Sequence, residues 1–381
     1  MTGKNPVVEL QDGKKLKIRR IAILTGGGDC PGLNAVIRAV AKTAMYDYGI
    51  DVYGIQDGFH GLIFRNSAKL DPMDVSGILD RGGTILGSSN KDNPFDHEMI
   101  VDGEKKRVDV SDECIEYIRN QGWDALVCIG GDGTQHMAQK FFEKGINVVG
   151  VPKTIDNDLE ATDVTFGFQT AVDTATEAID KLHTTAMAHH RVQIVEMMGR
   201  YAGWLTLHAG VSGGADVILI PEIEFDFDVV ADFCLDRSRH GKRFTIVAVA
   251  EGAKPKGGNM TVSKVMEDSP DPIRLGGVGK VIADAIAERT GLEARATVLG
   301  HLQRGGSPCP YDRLLSTRFG HSAVEMIAKG QFGMMPALQG ADIVPVKLVD
   351  AVSRLKLVDP NNPIIKAARS LGTCFGVAEE E

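Results

Sequence analysis

The feature that most constrains this chain is a repeated alternation of short apolar runs with longer segments of helical period. Four such pairs are legible: "RIAILT" before "GLNAVIRAVAKTAM", "DALVCIG" before "TQHMAQKFFEKG", "INVVGV" before "TAVDTATEAIDKLHTTAMAHH", and "RVQIVEM" before "AGWLTLHAGVS". Runs that are rich in β-branched residues and have no polar face predict strands buried on both sides. The pattern therefore predicts an α/β fold whose mostly parallel sheets are covered by helices.

Length and charge narrow the class of protein further. The 381 residues exceed one ordinary core of about 100 to 200 residues, so two domains or one elaborate α/β unit are expected. The formal net charge of −9 argues against nonspecific nucleic-acid binding, which needs a basic face. The sequence shows neither an apolar stretch near the roughly 20 residues that span a bilayer nor a secretion signal in its first 20 residues. Six cysteines without CxxC spacing suit a reducing compartment. We expect a cytoplasmic protein without a membrane role.

A first glycine-rich junction, "LTGGGDCPGLN", follows the first predicted strand. Glycines allow close backbone approach to a ligand, and the N-terminus of the next helix offers N–H groups to an anion. A phosphate site and an ordinary tight turn are both compatible with it. The junction matches neither the G-x-G-x-x-G pattern nor the G-x-x-x-x-G-K-[ST] loop.

A second junction, "CIGGDGTQ", repeats the Gly-Gly-Asp core. Its aspartate, Asp132, is a suitable ligand for a Mg²⁺ ion that bridges phosphates, although Asp-Gly also suits a plain turn. Two such loops after two strands of one α/β sheet favour phosphate or nucleotide binding.

A third junction, "VPKTIDNDLE", places Lys153, Asp156 and Asp158 where a strand ends. By itself, "DND" is typical of a helix cap or an Asx-turn. Beside a phosphate site, Asp156 is a candidate base that accepts the proton of an attacking hydroxyl, and Asp158 is its electrostatic neighbour.

Further cationic and acidic residues stand at predicted strand ends. Arg191 and Arg200 flank one strand, and as forked donors they suit a phosphate or its transition-state charge. Solvated surface arginines are the alternative. The stretch "ARATVLGHLQRGGSP" adds Arg295, His301 and Arg304, and Glu251 ends the run "FTIVAVAEG". These side chains suit a sugar phosphate, and salt bridges or turns explain each one singly.

Taken together, these segments resemble the phosphofructokinase family from about Ile21 to Phe332. The resemblance rests on the order "TGGGDCPGLNAVIR", "RGGTILGSS", "GGDGT", "TIDND", "GFQTA", "VEMMGR" and "VLGHLQRGG". It implies two similar Rossmann-like, three-layer α/β domains with the active site in the cleft between them. It also implies Mg²⁺-dependent transfer of a phosphoryl group to the 1-hydroxyl of fructose 6-phosphate, a step of glycolysis.

The resemblance also implies a division of the chain. Residues 1–20 are an N-terminal extension; residues 21–165 with about 305–345 form the phosphoryl-donor domain. Residues 166–304 with about 346–381 form the fructose 6-phosphate domain. No role is assigned to the extension or to the tail beyond Phe332.

Residue roles follow from the matching motifs. The resemblance implies that Asp156 is the base, Asp158 its partner, Thr154 a neighbour of the transferring phosphoryl group, and Arg200 a further catalytic residue. It implies donor binding by Gly28, Asn90, Lys91, Gly131, Asp132, Gly133 and Thr134, with Mg²⁺ at Asp132. It implies substrate binding by Thr154, Ile155, Asp156, Arg191, Met198, Gly199, Arg200, Glu251, Arg295, His301, Leu302, Gln303 and Arg304.

Two residues bear on the identity of the donor. In pyrophosphate-dependent members an aspartate follows the Gly-Gly-Asp aspartate, and a lysine precedes Thr-Ile-Asp. This chain has Gly133 at the first position and Lys153 at the second. An aspartate at 133 would fill and repel the space of the nucleotide's inner phosphate, so the glycine favours ATP. The lysine is also found in ATP-using members of the mixed group, and pyrophosphate is the alternative donor.

Several other positions depart from the pattern of the family. Asn90 stands where bacterial ATP-dependent members commonly have arginine, and Lys91 is expected to take its place. Arg38 and Lys42 only partly match the family's effector residues, and His183 replaces an arginine, so allosteric control is not expected.

Arg191 and Arg295 resemble arginines supplied by a neighbouring subunit, which implies a homo-oligomer, a dimer or tetramer. Another Gly-Gly-Asp-Gly-Thr kinase and an inactive regulatory subunit are the competing functions.

Overall fold

Residues 4–10, 13–101, 103–265 and 273–378 are described by the computed structural model. The chain divides into two compact units, each built from three stretches of sequence. The first unit comprises Met1–Thr154, Leu159–Gly167 and Arg304–Leu355, and the second comprises Ile155–Asp158, Phe168–Gln303 and Lys356–Glu381. The short loop Ile155–Asp158 therefore belongs to the second unit although the first unit supplies the residues on both sides of it.

Strands and helices alternate along most of the chain. The strands are β1 (Val7–Glu9), β2 (Lys15–Lys17), β3 (Arg20–Thr25), β4 (Asp51–Ile55), β5 (Ser67–Leu70), β6 (His97–Val101), β7 (Glu104–Val108), β8 (Ala125–Gly130), β9 (Val148–Thr154), β10 (Phe166–Gly167), β11 (Val192–Met197), β12 (Val217–Leu219), β13 (Thr245–Ala250), β14 (Val262–Val265), β15 (Ile273–Leu275), β16 (Ala294–Val298), β17 (Met334–Gln339) and β18 (Asp342–Lys347). The α-helices are α1 (Leu33–Tyr48), α2 (Phe59–Ile63), α3 (Ser111–Gln121), α4 (Asp132–Glu143), α5 (Phe168–His189), α6 (Trp204–Ser212), α7 (Phe227–Arg239), α8 (Val278–Thr290), α9 (Pro310–Ala328), α10 (Leu348–Ala351) and α11 (Pro363–Ser370), and Gly300–Arg304 is a 3₁₀ turn.

The sheet of the first unit has the strand order β18-β17-β9-β8-β3-β4-β5, and β10 also pairs with β9. Its central strands β4, β3, β8, β9 and β17 run parallel, whereas β5 and β18 are antiparallel at the two edges. Every residue of β8 and of β9 is buried. Complete burial is expected of strands without a polar face, because helices cover such strands on both sides.

Helices cover both faces of this sheet. On one face α2, α3, α4 and α10 enclose a core whose largest side chains include Phe59, Phe141 and Trp123. On the other face α1 packs against α9. A Cβ atom on Gly320 would lie 2.7 Å from the Cβ of Ala39. Because glycine stands at 320, the two helices approach each other closely.

The sheet of the second unit is parallel throughout, with the order β12-β13-β11-β16. Alternate residues of its strands, such as Val192 and Val247, pack against α7 and α8. Helices α5 and α6 cover the opposite face, where a Cβ on Gly210 would lie 2.9 Å from Ile218. Both units are thus helix–sheet–helix sandwiches, and the predicted three-layer α/β fold is confirmed.

Predicted and observed elements correspond closely in the region that carries the motifs. The run "RIAILT" is β3, and the segment that begins "TAVDTATEAIDKL" lies in α5. Within the described part of the chain, no helix combines the length and the hydropathy required to cross a membrane. The six cysteines all lie in that part and form no disulfide, and burial raises the pKa of the Cys30 and Cys128 thiols to about 12.

Candidate active site

The two Gly-Gly-Asp loops are neighbours in the first unit because they follow paired strands. Thr25 lies opposite Ile129, and the amide of Gly26 donates a hydrogen bond of 2.9 Å to the Ile129 carbonyl. A Cβ on Gly26 would lie 2.6 Å from Oγ1 of Thr134, and a Cβ on Gly130 would lie 2.3 Å from the Cβ of Thr134. Glycine at both positions therefore makes room for the buried threonine of the second loop.

The segment around Ser89 forms a third wall beside the first glycine loop. The Gly27 amide donates to the Ser89 carbonyl at 3.0 Å, and Oγ of Ser88 donates to the Thr25 carbonyl at 3.1 Å. The next two residues, Asn90 and Lys91, are exposed. The structure therefore brings both predicted donor-binding residues to the edge of the sheet where the glycine loops end.

Asn34 is a positioning residue that the sequence analysis did not single out. It is almost completely buried in the first turn of α1. Its Nδ2 donates to the carbonyls of Arg81 and Gly82 at 3.1 and 3.2 Å, and its Oδ1 accepts from the Ile85 amide at 2.8 Å. One side chain thus fixes the start of the segment that leads to Asn90. An asparagine inside a helix, where its propensity is poor, was the available sequence signal.

Helix α4 presents the second loop. Asp132 occupies its first turn, and Nδ1 of His136, one turn on, lies 3.2 Å from Oδ1 of Asp132. A hydrogen bond with Asp132 raises the pKa of the His136 ring above its usual value. Apart from its chain neighbours and the backbone of α4 itself, no atom of the described chain lies within 4 Å of the point where a Cβ on Gly133 would be, whereas a Cβ on Gly131 would lie 3.2 Å from the Lys153 carbonyl oxygen. The space beside Gly133 is open.

Gln135 holds the ends of two strands together. No sequence motif indicated this role. It is fully buried, and its Nε2 donates to three carbonyl oxygens, those of Cys128 at 3.2 Å, Gly130 at 3.0 Å and Val151 at 2.9 Å. A Cβ on Gly150 would lie 2.1 Å from Oε1 of Gln135. The side chain therefore fixes the relative positions of β8 and β9 where the second and third loops begin.

Lys153 is buried in the first unit, with 4% of its surface exposed. Its Nζ donates a hydrogen bond to the carbonyl oxygen of Gly28. A Cβ on Gly27 would lie 3.5 Å from the same Nζ. The lysine whose type bears on the donor thus also supports the first glycine loop from beneath.

Arg304 and Thr154 are two further predicted site residues of the first unit. Nη1 of Arg304 donates to the Asp29 carbonyl at 3.0 Å and would lie 2.6 Å from a Cβ on Gly28. Thr154 is buried at the end of β9, and its carbonyl accepts from Oγ1 of Thr165 at 2.7 Å. Arg304, which the sequence assigned to the sugar phosphate, therefore packs against the first glycine loop.

The loop with the two candidate carboxylates belongs to the second unit. Asp156 and Asp158 are partly buried, and Ile155 and Asn157 are buried. Asn157 has φ = 53°, in the left-handed region. Asn tolerates that region better than most residues, so the residue type between the two aspartates suits the turn that the backbone makes.

Neighbouring strands bring Met198, Gly199, Arg200 and Glu251 together. The Glu251 amide donates to the Met197 carbonyl at 2.8 Å, across the ends of β11 and β13. Gly199 has φ = 135°, and a Cβ on the residue after Glu251, Gly252, would lie 1.9 Å from the Arg200 carbonyl. Because parallel strands end at the same edge of a sheet, these residues form one surface.

Glu196 supports that surface from within the core. It is 2% exposed, and its carboxylate accepts hydrogen bonds from the amides of Gly277 and Gly279 at 2.9 and 2.8 Å. Its backbone carbonyl accepts from the Leu299 amide at 2.9 Å. A carboxylate at the N-terminus of α8 is favoured by the free N–H groups and the helix dipole. A buried glutamate inside an apolar strand was the sequence signal for this role.

The 3₁₀ turn after β16 carries His301, Leu302 and Gln303. His301 and Leu302 are exposed, and Gln303 is buried with its Nε2 donating to the Gly300 carbonyl at 3.1 Å. Because β16 pairs with β11, His301 follows the same sheet edge as Met198. Of the three residues, Gln303 shapes the turn, while the side chains of the other two are exposed.

Arg191 and Arg295 meet at the opposite edge of the second sheet. Nε of Arg191 lies 2.9 Å from Oε2 of Glu293, and Nη2 of Arg295 donates to Oε1 of Glu293 at 2.7 Å. The hydrogen bond from Arg191 lowers the pKa of the Glu293 carboxyl. Strand β11, about 20 Å long, separates Arg191 from Arg200, so within one chain the two arginines do not act on the same group.

No group of three or more His, Cys, Asp or Glu side chains in the described part of the chain could hold a metal by itself. Magnesium sites that bind phosphates commonly use one or two carboxylates, while substrate oxygens and water complete the shell. Asp132, partly exposed at a helix N-terminus beside two glycine loops, has the chemistry of such a ligand. The residues therefore fit a Mg²⁺ that arrives with the donor.

A family model described as phosphofructokinase matches residues 20–327. The chain belongs to the phosphofructokinase family. Its relatives in this family include ATP-dependent 6-phosphofructokinase 2 of Clostridium perfringens, which is 54% identical over 360 residues that cover 94% of this chain and 98% of the relative. The pyrophosphate–fructose 6-phosphate 1-phosphotransferase of Amycolatopsis mediterranei is 52% identical over 340 residues, 89% of this chain and 96% of the relative. Relatives of both donor types are therefore almost equally similar.

Solved phosphofructokinase structures share the fold. Phosphofructokinase of Pichia pastoris in the T-state superposes with a TM-score of 0.76 at 32% identity, over 89% of this chain. This chain spans 36% of the length of that Pichia chain. A pyrophosphate-dependent phosphofructokinase of Marinobacter aquaeolei has a TM-score of 0.75 at 21% identity, covering 91% of this chain and 88% of the other. That likeness concerns the fold alone.

Proposed function

We propose that this phosphofructokinase transfers the γ-phosphoryl group of ATP to the 1-hydroxyl of D-fructose 6-phosphate, giving fructose 1,6-bisphosphate and ADP. The donor assignment is carried by the open space beside Gly133. A nucleotide's inner phosphate needs volume and freedom from negative charge at that point, and an aspartate would remove both. The neighbouring glycine loops offer backbone N–H groups to the remaining phosphate oxygens.

The chemistry needs one proton acceptor and a field that favours its negative charge. The 1-hydroxyl oxygen attacks the γ-phosphorus, the bond from that phosphorus to the β,γ-bridging oxygen breaks, and ADP leaves with the bond's electron pair. Asp156 accepts the hydroxyl proton and later releases it to water. Asp158 acts as its electrostatic partner, and Thr154 and Arg200 lie beside the transferring group.

Mg²⁺ is the proposed cofactor, and when bound it neutralises the charge that develops on the phosphate oxygens. Asp132 would hold it. Gly28, Gly131, Gly133 and Thr134 line the donor's path, with Asn90 and Lys91 at its outer end.

Fructose 6-phosphate has polar hydroxyls and a dianionic phosphate, and the proposed acceptor residues match both. Glu251 accepts hydrogen bonds from sugar hydroxyls, while Met198, Gly199 and Arg200 orient the ring end. Thr154, Ile155 and Asp156 face the reacting hydroxyl. The remaining contacts are assigned to His301, Leu302, Gln303 and Arg304, and to Arg191 and Arg295 of a neighbouring subunit.

A shared site requires an oligomer, and we propose a homodimer or homotetramer. The support is the pair Arg191 and Arg295, which share Glu293 at the edge of the sheet away from Glu251. Two cations on one carboxylate keep an excess positive charge that a phosphate can meet. A cytoplasmic location is proposed with the glycolytic role, and no nucleic acid or membrane partner is proposed.

Pyrophosphate is the second candidate donor. Lys153 is of the type found in pyrophosphate-dependent members, and such a relative is 52% identical. However, the bond from Lys153 to the Gly28 carbonyl gives the lysine a function in supporting the loop that does not depend on the donor. The open space at Gly133 therefore outweighs Lys153.

Transfer of an isotopic label tests the proposal. The purified protein is incubated with Mg²⁺, fructose 6-phosphate and ATP labelled in the γ-phosphoryl group. The expected product carries the label on C1 of fructose 1,6-bisphosphate, with one ADP formed per label transferred. Release of the label as inorganic phosphate, or ATP turnover that does not need the sugar, contradicts the proposal. The Asp156→Ala variant should lower the rate by about two to four orders of magnitude.

A further inference from the structure

Lys356 contacts the catalytic loop at two points in the second unit. Its backbone N–H donates to the Asp158 carbonyl at 2.9 Å, and its Nζ donates to Oδ1 of Asn157 at 3.1 Å. Asn157 and Lys356 are 199 residues apart in sequence. The lysine lies in the tail for which the sequence offered no role.

The contacted residue, Asn157, lies between the two candidate carboxylates. Asn157 is buried and left-handed, with φ = 53°, and it separates Asp156 from Asp158. A non-glycine residue keeps such a conformation only where its surroundings hold it. A charged donor on its side-chain oxygen is a strong hold of this kind, so a change at Lys356 is transmitted to the backbone on either side.

The segment that carries Lys356 is itself tied to the start of α6. The indole Nε1 of Trp204 donates to the Lys356 carbonyl at 2.7 Å. Glu222 accepts from the amides of Gly203 and Val358 at 2.9 Å each. The segment is thus anchored at Lys356 and again two residues later at Val358, and α6 follows directly on the loop that contains Arg200.

We propose that Lys356 is a positioning residue for phosphoryl transfer, which fixes the loop from Asp156 to Asp158 by holding Asn157 in its left-handed conformation. The proposal rests on the proposed function, in which Asp156 is the base. Lys356 acts by holding Asn157. Its effect is therefore expected in kcat and only weakly in the KM of fructose 6-phosphate.

The test compares three variants of the full-length protein. Lys356→Met removes the charged donor but keeps the backbone bond to Asp158, and Lys356→Arg restores a cation. Lys366→Met is the matched control, because that lysine is exposed on α11. We expect Lys356→Met to lower kcat by about 10- to 100-fold, the effect of a small misplacement of a reacting group, with KM changed less than about threefold. Lys356→Arg should recover most of the loss, and Lys366→Met should match the parent.

A fourth variant shows whether the effect passes through Asn157. Asn157→Gly removes the side-chain acceptor and tolerates the left-handed backbone. In that background, Lys356→Met should lower kcat less than about threefold, because the contact is already absent. Equal losses in both backgrounds, or a kcat in Lys356→Met equal to the parent's, overturn the proposal.

Amide hydrogen exchange separates this inference from the proposed function. Loss of the Lys356 amine should speed exchange of the peptide containing Asp156–Leu159 about tenfold, the effect of one hydrogen bond to a charged group. If the parent fails to phosphorylate fructose 6-phosphate while this exchange still depends on Lys356, the proposed function fails and the contact stands. If the parent is active and neither exchange nor kcat responds, the inference fails alone.

Discussion

The ammonium group of Lys153 donates a hydrogen bond to the carbonyl oxygen of Gly28, so the penultimate residue of β9 supports the glycine loop that follows β3. Strand β8 lies between them in the sheet. The contact joins the third loop to the first. It gives Lys153 a function that holds whichever donor the loop binds.

The first prediction concerns this contact. Lys153→Met should lower the free energy of unfolding by about 1 to 3 kcal/mol, the effect of losing a hydrogen bond to a buried charge. The substitution should also raise the KM for ATP, and the KM for pyrophosphate if the protein uses it. The reason is that the glycine loop containing Gly28 loses its support. Denaturant unfolding and steady-state kinetics measure both effects. A variant that loses activity with pyrophosphate alone, at unchanged stability, would show that Lys153 selects the donor directly.

The second prediction concerns the space beside Gly133. The position is not left-handed and is unobstructed, and an aspartate near a helix N-terminus is favourable, so Gly133→Asp should fold normally. Its kcat/KM for ATP should fall by about 100- to 1,000-fold through repulsion of the inner phosphate. Gly133→Asn, with nearly the same volume and no charge, is the control and should lose less. Equal losses in the two variants would assign the effect to volume.

The third prediction concerns His208, whose ring lies edge-on to Phe168 at 5.2 Å between ring centroids. Burial first, and then the cation of Lys356, lower the pKa of His208 below its ordinary value of 6.5. As the pH falls below 6.5, His208 is therefore protonated in the unfolded chain before it is protonated in the folded chain. The free energy of unfolding decreases over this range and levels off once the pH is below the folded-state pKa. Thermal midpoints of His208→Gln should fall less than the parent's as the pH drops below 6.5. If the difference in thermal midpoint between the parent and His208→Gln does not change with pH, His208 does not cause the loss of stability.

The fourth prediction tests whether Arg191 acts in a neighbouring subunit. Asp156→Ala and Arg191→Ala should each be nearly inactive alone. Mixed oligomers should recover activity, because one of the two shared sites in a heterodimer then has both residues, so isolated heterodimers should have about half of the parent's activity. Co-expression with two affinity tags isolates the mixed oligomers. If the isolated mixed oligomers recover no activity, Arg191 does not contribute to the active site of a neighbouring subunit.

Much of the fold and of the donor loops could be predicted because their determinants are local. The strand run "RIAILT" and the glycines after it encode burial and close approach within a few residues, and β3 and its loop form as expected. The same holds for "DALVCIG" and the start of α4.

The supporting contacts could not be predicted because they join distant parts of the chain. Lys356 reaches Asn157 across 199 residues, and Asn34 fixes a segment about 50 residues away. Neither contact leaves a period or a motif in the sequence. The placement of Arg304 against Gly28 is of the same kind, because only the fold brings that arginine to Asp29. The predicted assignments of individual side chains to substrates, and of the active site to the cleft between the domains, stay predictions.

Donor kinetics test the assignment of ATP as the phosphoryl donor. With saturating fructose 6-phosphate and Mg²⁺, the initial rate of fructose 1,6-bisphosphate formation is measured over a range of ATP concentrations and, separately, of pyrophosphate concentrations. We predict a kcat/KM for ATP at least about 100-fold above that for pyrophosphate, because the open space at Gly133 accepts the inner phosphate of ATP without repulsion. Turnover with pyrophosphate and none with ATP would contradict it.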